Sequence, residues 1–95
     1  MRTITIDCSG TRSPDEFWQR YVDAANPAAS ELFGRNLDAF WDAIQGGGPG
    51  CPGDVKLVFT HSDSLASFLT NGGGSFLTEL REIAASATRI EVKLT

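Results

Sequence analysis

The sequence predicts an α/β fold: a three-stranded parallel sheet packed against about four helices, in one domain spanning residues 1–95. Three observations lead there. Apolar residues alternate with polar ones at both ends of the chain, at Ile4 and Ile6 and again at Ile90, Val92 and Leu94, the period of a strand with one buried face. Val55 to Phe59 is a nearly continuous apolar run with one lysine, suited to the best-buried strand of a sheet. The stretches between these segments carry helical spacing, and helical crossovers between successive strands make a parallel sheet.

The first strand covers Arg2 to Asp7, and a turn follows at Cys8 to Arg12. Ser13 precedes Pro14, Asp15 and Glu16, so serine caps a helix, proline takes its first position and Glu16 reaches back. Phe17, Trp18, Tyr21, Val22 and Ala25 form the stripe of this first helix, and Asn26-Pro27 stops it. Asn36 caps a second helix in which Leu37, Phe40, Trp41 and Ile44 fall at i, i+3, i+4 and i+7, with Gly46 closing it. Gly46 to Gly53 is a loop, since glycine and proline at this density support neither helix nor strand. After the central strand a short third helix is expected over Ser64 to Leu69, broken by Asn71 to Gly74. Ser75 to Ala87 forms a fourth, with Phe76, Leu80, Ile83 and Ala84 or Ala87 inward, before the last strand.

Ninety-five residues, 41% hydrophobic and 21% charged, describe a globular chain too apolar for disorder. Its net charge of −4 excludes a general binder of phosphate backbones, which needs a basic surface. No apolar run approaches a membrane span and no charged-then-apolar leader opens the chain, which reads as cytoplasmic. Cys8 and Cys51 read as free thiols in a reducing compartment. No metal framework, Walker-type loop or cofactor motif is visible. Gly48-Pro49-Gly50-Cys51-Pro52-Gly53 has the letters of the dinucleotide fingerprint, but it follows a helix and enters a strand, the reverse of what that chemistry needs. His61, the sole histidine, reads as a surface or helix-start residue.

The second helix carries the most informative pattern. Asp38, Asp42 and Gln45 lie at i, i+4 and i+7, opposite the apolar stripe. The helix dipole favours Asp38 in the first turn, but like charges four residues apart cost roughly 0.2–0.5 kcal/mol. This side is either a solvated face that tolerates the cost or an anionic ridge held for a cationic partner. An acid/base dyad is the weaker option, since an exposed face does not separate two carboxyl pKa values. Trp18, Phe17, Phe40 and Trp41 are core candidates by spacing. Leu32 and Phe33 stand before the helix, either exposed or as a hydrophobic staple.

The run Leu32-Phe33-Gly34-Arg35-Asn36-Leu37-Asp38-Ala39-Phe40-Trp41-Asp42-Ala43-Ile44-Gln45-Gly46 closely resembles the barstar family pattern, in which Tyr-Tyr-Gly-x-Asn-Leu-Asp-Ala-Leu-Trp-Asp leads into and forms the second helix. Asn71-Gly72 followed by Ser75 and Leu80-Arg81-Glu82 looks like the family's fourth helix, and the order of elements agrees from end to end. The resemblance implies a non-enzymatic, cytoplasmic inhibitor that plugs the active site of a small guanyl-specific bacterial ribonuclease in a 1:1 complex. By that likeness Asp42 takes the place of the substrate phosphate, Asp38 and Glu82 add contacts, and Leu32, Phe33, Gly34, Asn36, Trp41, Gln45 and Gly46 complete the partner-binding face. The physics agrees: from Asn36 to Leu80 there are five acids (Asp38, Asp42, Asp54, Asp63, Glu79) and one base (Lys56).

The sequence also departs from the pattern. Leu32-Phe33 replaces two tyrosines, keeping apolar contact without the hydroxyls, and Gly47 replaces a bulky aromatic. The loop beyond it is longer and glycine-rich, and the family's cysteine positions are not reproduced. A related but distinct microbial ribonuclease therefore fits as well as the best-known one. The alternative is an acidic interaction module binding a basic protein that is not a nuclease. A small hydrolase using Asp38 and Asp42 lacks a nucleophile, metal cluster or phosphate loop.

Overall fold

A computed structural model describes residues 2–95. Strands β1 (Arg2–Asp7), β2 (Val55–Thr60) and β3 (Val92–Leu94) pair in the order β1-β2-β3, both pairs parallel. The apolar run is thus the central strand, with Ile4 opposite Leu57 and Leu57 opposite Val92. Its burial is one-sided, however. Val55, Leu57 and Phe59 are buried whereas Lys56, Val58 and Thr60 are only partly covered. Ile4 and Ile6 are buried on β1 while Thr3, Thr5 and Asp7 are exposed. Strand alternation therefore sends one row of side chains into the core and leaves the other row towards solvent.

Helix α1 (Pro14–Ala25) starts and stops where its residues dictate. Ser13 Oγ accepts the Glu16 amide at 3.1 Å, proline fills the first position, and Asn26 ends the helix with φ of 44°. The Glu16 carboxylate does reach back, to the Arg12 amide at 3.4 Å, and it also pairs with Arg20 at 2.8 Å. Helix α2 (Leu37–Trp41) runs directly into a π-turn over Asp42–Gly46. Helix α3 (Phe76–Ser86) is capped by Ser75, whose Oγ accepts the Thr78 amide at 3.2 Å.

The helix count is three, not about four. In place of the short helix expected over Ser64 to Leu69, the chain makes a 3₁₀ turn at Ser62–Leu65 and then a loop. The loop has local partners of its own: Leu69 bridges to Ser75, the Thr70 amide donates to Gly74 O at 2.8 Å, and Phe76 N–H donates to Phe68 O at 3.0 Å. Backbone groups satisfied this way do not need a helical ladder. Leu65 alone is fully buried in this stretch and Leu69 is 67% exposed, so no continuous apolar stripe holds a helix here.

Trp18 is the hub of the core. Its ring lies 4.7–6.4 Å from those of Phe17, Tyr21, Phe33, Phe40 and Phe76, so α1, α2, α3 and the loop before α2 all meet on one indole. Both cysteines are free thiols, Cys8 buried and Cys51 partly covered. Burial pushes the Cys8 thiol from 9.0 up to about 11, against a smaller opposing pull from Arg20. The folded chain therefore holds this proton more tightly than the unfolded chain does. That contribution to stability is present in full below pH 9.0 and is lost as pH rises through about 11. Stability measured by urea denaturation across this window should fall less steeply with pH in Cys8→Ala than in the wild type. At pH 8 a thiol reagent should modify Cys51 in the native protein and reach Cys8 only on unfolding, as mass spectrometry of the labelled chain would record.

Candidate functional site

The loop leading into α2 is fixed at several points. A 3₁₀ turn at Ser30–Leu32 leaves Leu32 69% exposed, whereas Phe33 beside it is 6% exposed. Phe33 is thus neither an exposed contact nor a staple for α2. Its ring packs on Trp18 and Tyr21 of α1, at 5.4 and 5.8 Å. Gly50 closes over its other side with φ of +91°, where a Cβ would lie 2.6 Å from Phe33 Cδ1. Tyr21 Oη donates to Gly50 O at 2.7 Å, so this part of the glycine-rich loop is tied to the core. Arg35, at φ of 50°, donates to Gln19 at 2.7 Å and pairs with Asp15 at 3.2 Å. Asn36 Oδ1 accepts the Ala39 amide at 2.7 Å while its Nδ2 donates to Gly34 O at 3.2 Å. A Cβ on Gly34 would approach that of Ala39 to 3.2 Å, so residue 34 passes close over the helix start.

On α2 the buried side is Phe40, followed by Ala43 and Ile44 in the π-turn, with Leu37 half-buried. Trp41 is not in the core: it is 37% exposed. It forms a wall of a groove between α2 and α3 that Leu37, Asp38, Glu79, Glu82 and Ile83 also line. Asp38 and Glu82, far apart in sequence, are thereby brought to one depression with an apolar floor and an indole at its side. Asp42 stands on the next turn. Its carboxylate leans over the backbone of the glycines after it, with Oδ1 3.0 Å from where a Gly46 Cβ would be. The carbonyl of Asp42 accepts from the amides of both Gly47 and Gly48.

Gln45 has a different part from the ridge position its spacing suggested. It is half-buried, its Nε2 donates to Thr88 Oγ1 at 2.6 Å, and its Oε1 accepts the amides of Thr88 and Arg89 at 3.0 and 3.4 Å. It clamps the π-turn to the segment between α3 and β3, which fixes α2 relative to α3. Glu79 is not among the site residues expected from the sequence. It lies one turn before Glu82 on the same helix and lines the same groove; the i, i+3 spacing of two glutamates was the available signal.

Among the described residues, carboxylates without a cationic partner occur around the surface, at Asp23, Glu31, Asp54 and Asp63 among others, but four of them gather on α2, the π-turn and α3. Asp15, Glu16 and Glu91 each have a cationic partner within 4.0 Å, and Asp7 meets the His61 ring. Among the described residues no side-chain hydrogen bond or ion pair engages Asp38, Asp42, Glu79 or Glu82. Four exposed carboxylates with no intramolecular cation favour a positive partner. Elsewhere on the surface His61 meets Asp7 at 3.1 Å, and the Ser9 amide together with this ring holds the Asp7 carboxyl below its ordinary value. Among the described residues no group of three or more His, Cys, Asp or Glu could hold a metal ion, and no helix is long and apolar enough to cross a membrane.

A comparison with family models matches residues 1–95, the whole chain, to the family described as Barstar (barnase inhibitor). No curated protein matches the chain.

Proposed function

Because the chain belongs to the barstar family, whose members are inhibitors rather than enzymes, we propose that it blocks a small, basic, secreted ribonuclease by seating the α2–α3 face in that enzyme's active site. The observation that carries this reading is the set of four exposed, unpaired carboxylates at Asp38, Asp42, Glu79 and Glu82, grouped around the partly exposed Trp41. A ribonuclease must concentrate cations to bind phosphate, so acids held on a rigid surface are complementary to it. Asp42 supplies the phosphate-like charge. Asp38 and Glu82 meet neighbouring basic groups, and Leu32 and Trp41 add apolar contact. Gly34 and Gly46 let the chain approach closely, and Asn36 and Gln45 hold the loop and turn in place. Phe33 acts from beneath, by fixing the loop that carries Leu32.

Occlusion of this kind needs one copy of the inhibitor per enzyme and no cofactor. An inhibitor of a secreted enzyme is useful inside the cell that makes it, which favours the cytoplasm as its location. The test is a titration of the purified chain against a panel of small guanyl-specific bacterial ribonucleases, monitoring cleavage of a fluorescent RNA. Activity of at least one enzyme should fall linearly to zero at one equivalent. Association should also slow as salt is raised from about 50 to about 500 mM, because steering between opposite charges is screened. Full activity of every enzyme at a large excess of the chain, with a different basic protein co-purifying from the native cytoplasm, would replace this reading with that of an interaction module.

A further inference from the structure

The glycine at position 48 has no conformational need to be one. Its φ lies outside the left-handed range, unlike that of Gly47 at +74° or Gly50 at +91°, so no left-handed backbone calls for glycine there. What occupies the space of its missing side chain is the Asp42 carboxylate. A Cβ at 48 would overlap Asp42 Oδ2 outright and lie 3.1 Å from Cγ, and the nearest backbone atom, Asp42 O, is 3.7 Å away. Gly46 frames the other oxygen, at 3.0 Å from its own would-be Cβ. Next to them the Arg89 guanidinium fills the space over Gly47, with Nη1 3.0 Å from a Cβ built there. The carboxylate thus leans into a notch in which the wall at 48 is absent.

We infer that Gly48 is a positioning residue: by omitting a side chain it leaves room for one rotamer of Asp42 and so aims that carboxylate at the partner. The inference rests on the proposed role of Asp42 and adds how its direction is set. A side chain already confined in the free protein loses less freedom on binding, which is where preorganisation contributes to affinity. The clash is with the end of a flexible side chain and not with backbone, so alanine at 48 turns the carboxylate away and leaves the fold intact.

The test uses Gly48→Ala alone and combined with Asp42→Ala. In the free protein the two Hα–Hβ couplings of Asp42 should report a single rotamer in the wild type and a different or averaged one in Gly48→Ala, with thermal midpoints within about 2 °C of each other. Against an inhibited ribonuclease Gly48→Ala should weaken inhibition about tenfold. In the Asp42→Ala background the same substitution should cost nothing further, because its effect passes through the carboxylate. Unchanged couplings would overturn the inference, as would an equal loss in both backgrounds, which would mean that residue 48 touches the partner itself. Should Gly48→Ala fail to fold, the double variant, which lacks the clashing atoms, should fold; its failure too would overturn the inference. If the wild type inhibits no ribonuclease, the proposed function fails and the couplings alone decide the role of Gly48.

Discussion

Asp42→Ala is expected to weaken ribonuclease inhibition by at least about thirtyfold, while Asp63→Ala changes it by no more than about twofold. Both substitutions remove one exposed carboxylate from the same chain, so both alter net charge and long-range attraction alike. Only Asp42 belongs to the α2–α3 face; Asp63 is in the 3₁₀ turn after β2. The general pattern behind the figure is that a few central residues dominate an interface, and barstar complexes are themselves among its standard cases. Glu79→Gln and Glu82→Gln should fall between the two, with their combined effect departing from additivity because they line one groove. Inhibition constants for the four single variants and the Glu79→Gln/Glu82→Gln double variant against one enzyme measure all of this. Equal losses from Asp42→Ala and Asp63→Ala would remove the assignment of the face.

Trp18→Ala should destabilise the protein by about 3–5 kcal/mol, the range for deleting a large buried aromatic. A domain of this size has a total stability of about 5–15 kcal/mol, so the variant should be partly unfolded at 37 °C or close to it. The cause is specific: five aromatic rings lose the indole they share, and a cavity opens where three helices meet. Trp41→Ala is the matched contrast. That indole is 37% exposed, so its removal should lower the urea midpoint much less than Trp18→Ala does while weakening inhibition more. Chemical denaturation monitored by far-UV circular dichroism, beside the inhibition assay, separates the two tryptophans.

Local chemistry made the outer frame legible. Ser13-Pro14, Asn36 and Ser75 each start a helix where the sequence places them, since capping depends on near neighbours alone. Strand periods located all three strands, and the crossovers gave their parallel order. The third helix failed because Ser64 to Leu69 has helix-compatible residues whose backbone groups find partners in a hairpin-like loop with Ser75 and Phe76. Trp41, a core candidate by spacing, lies at the surface, and Phe33, open between exposure and a staple, packs on α1, for a similar reason. Spacing along one helix cannot say that Phe33 meets two rings of α1, nor that Trp41 falls at a groove whose far side is built by α3. The acids of α2 were readable from their spacing, and Glu82 was reached through resemblance to the family pattern. Glu79 had only its i, i+3 spacing to Glu82 as a signal, and the closeness of Gly48 to Asp42 depends on a π-turn that composition does not announce.

The π-turn after Trp41 has a consequence best expressed in angular phase. An α-helix advances about 100° per residue, so a change on one face is normally locked to the packing on the other. A π-turn widens the coil at one place and rotates the residues beyond it relative to those ahead of it. Here Trp41 and Asp42 are exposed one after the other, and Ala43 and Ile44, which follow them, are both buried. Within the ten-residue segment Leu37 to Gly46 the outward positions Asp38, Trp41, Asp42 and Gly46 thus stand directly beside the inward ones, Phe40, Ala43 and Ile44. Diversification at the outward positions can proceed while the inward ones stay constant, so a lineage built on this segment could change its counterpart without rebuilding its centre.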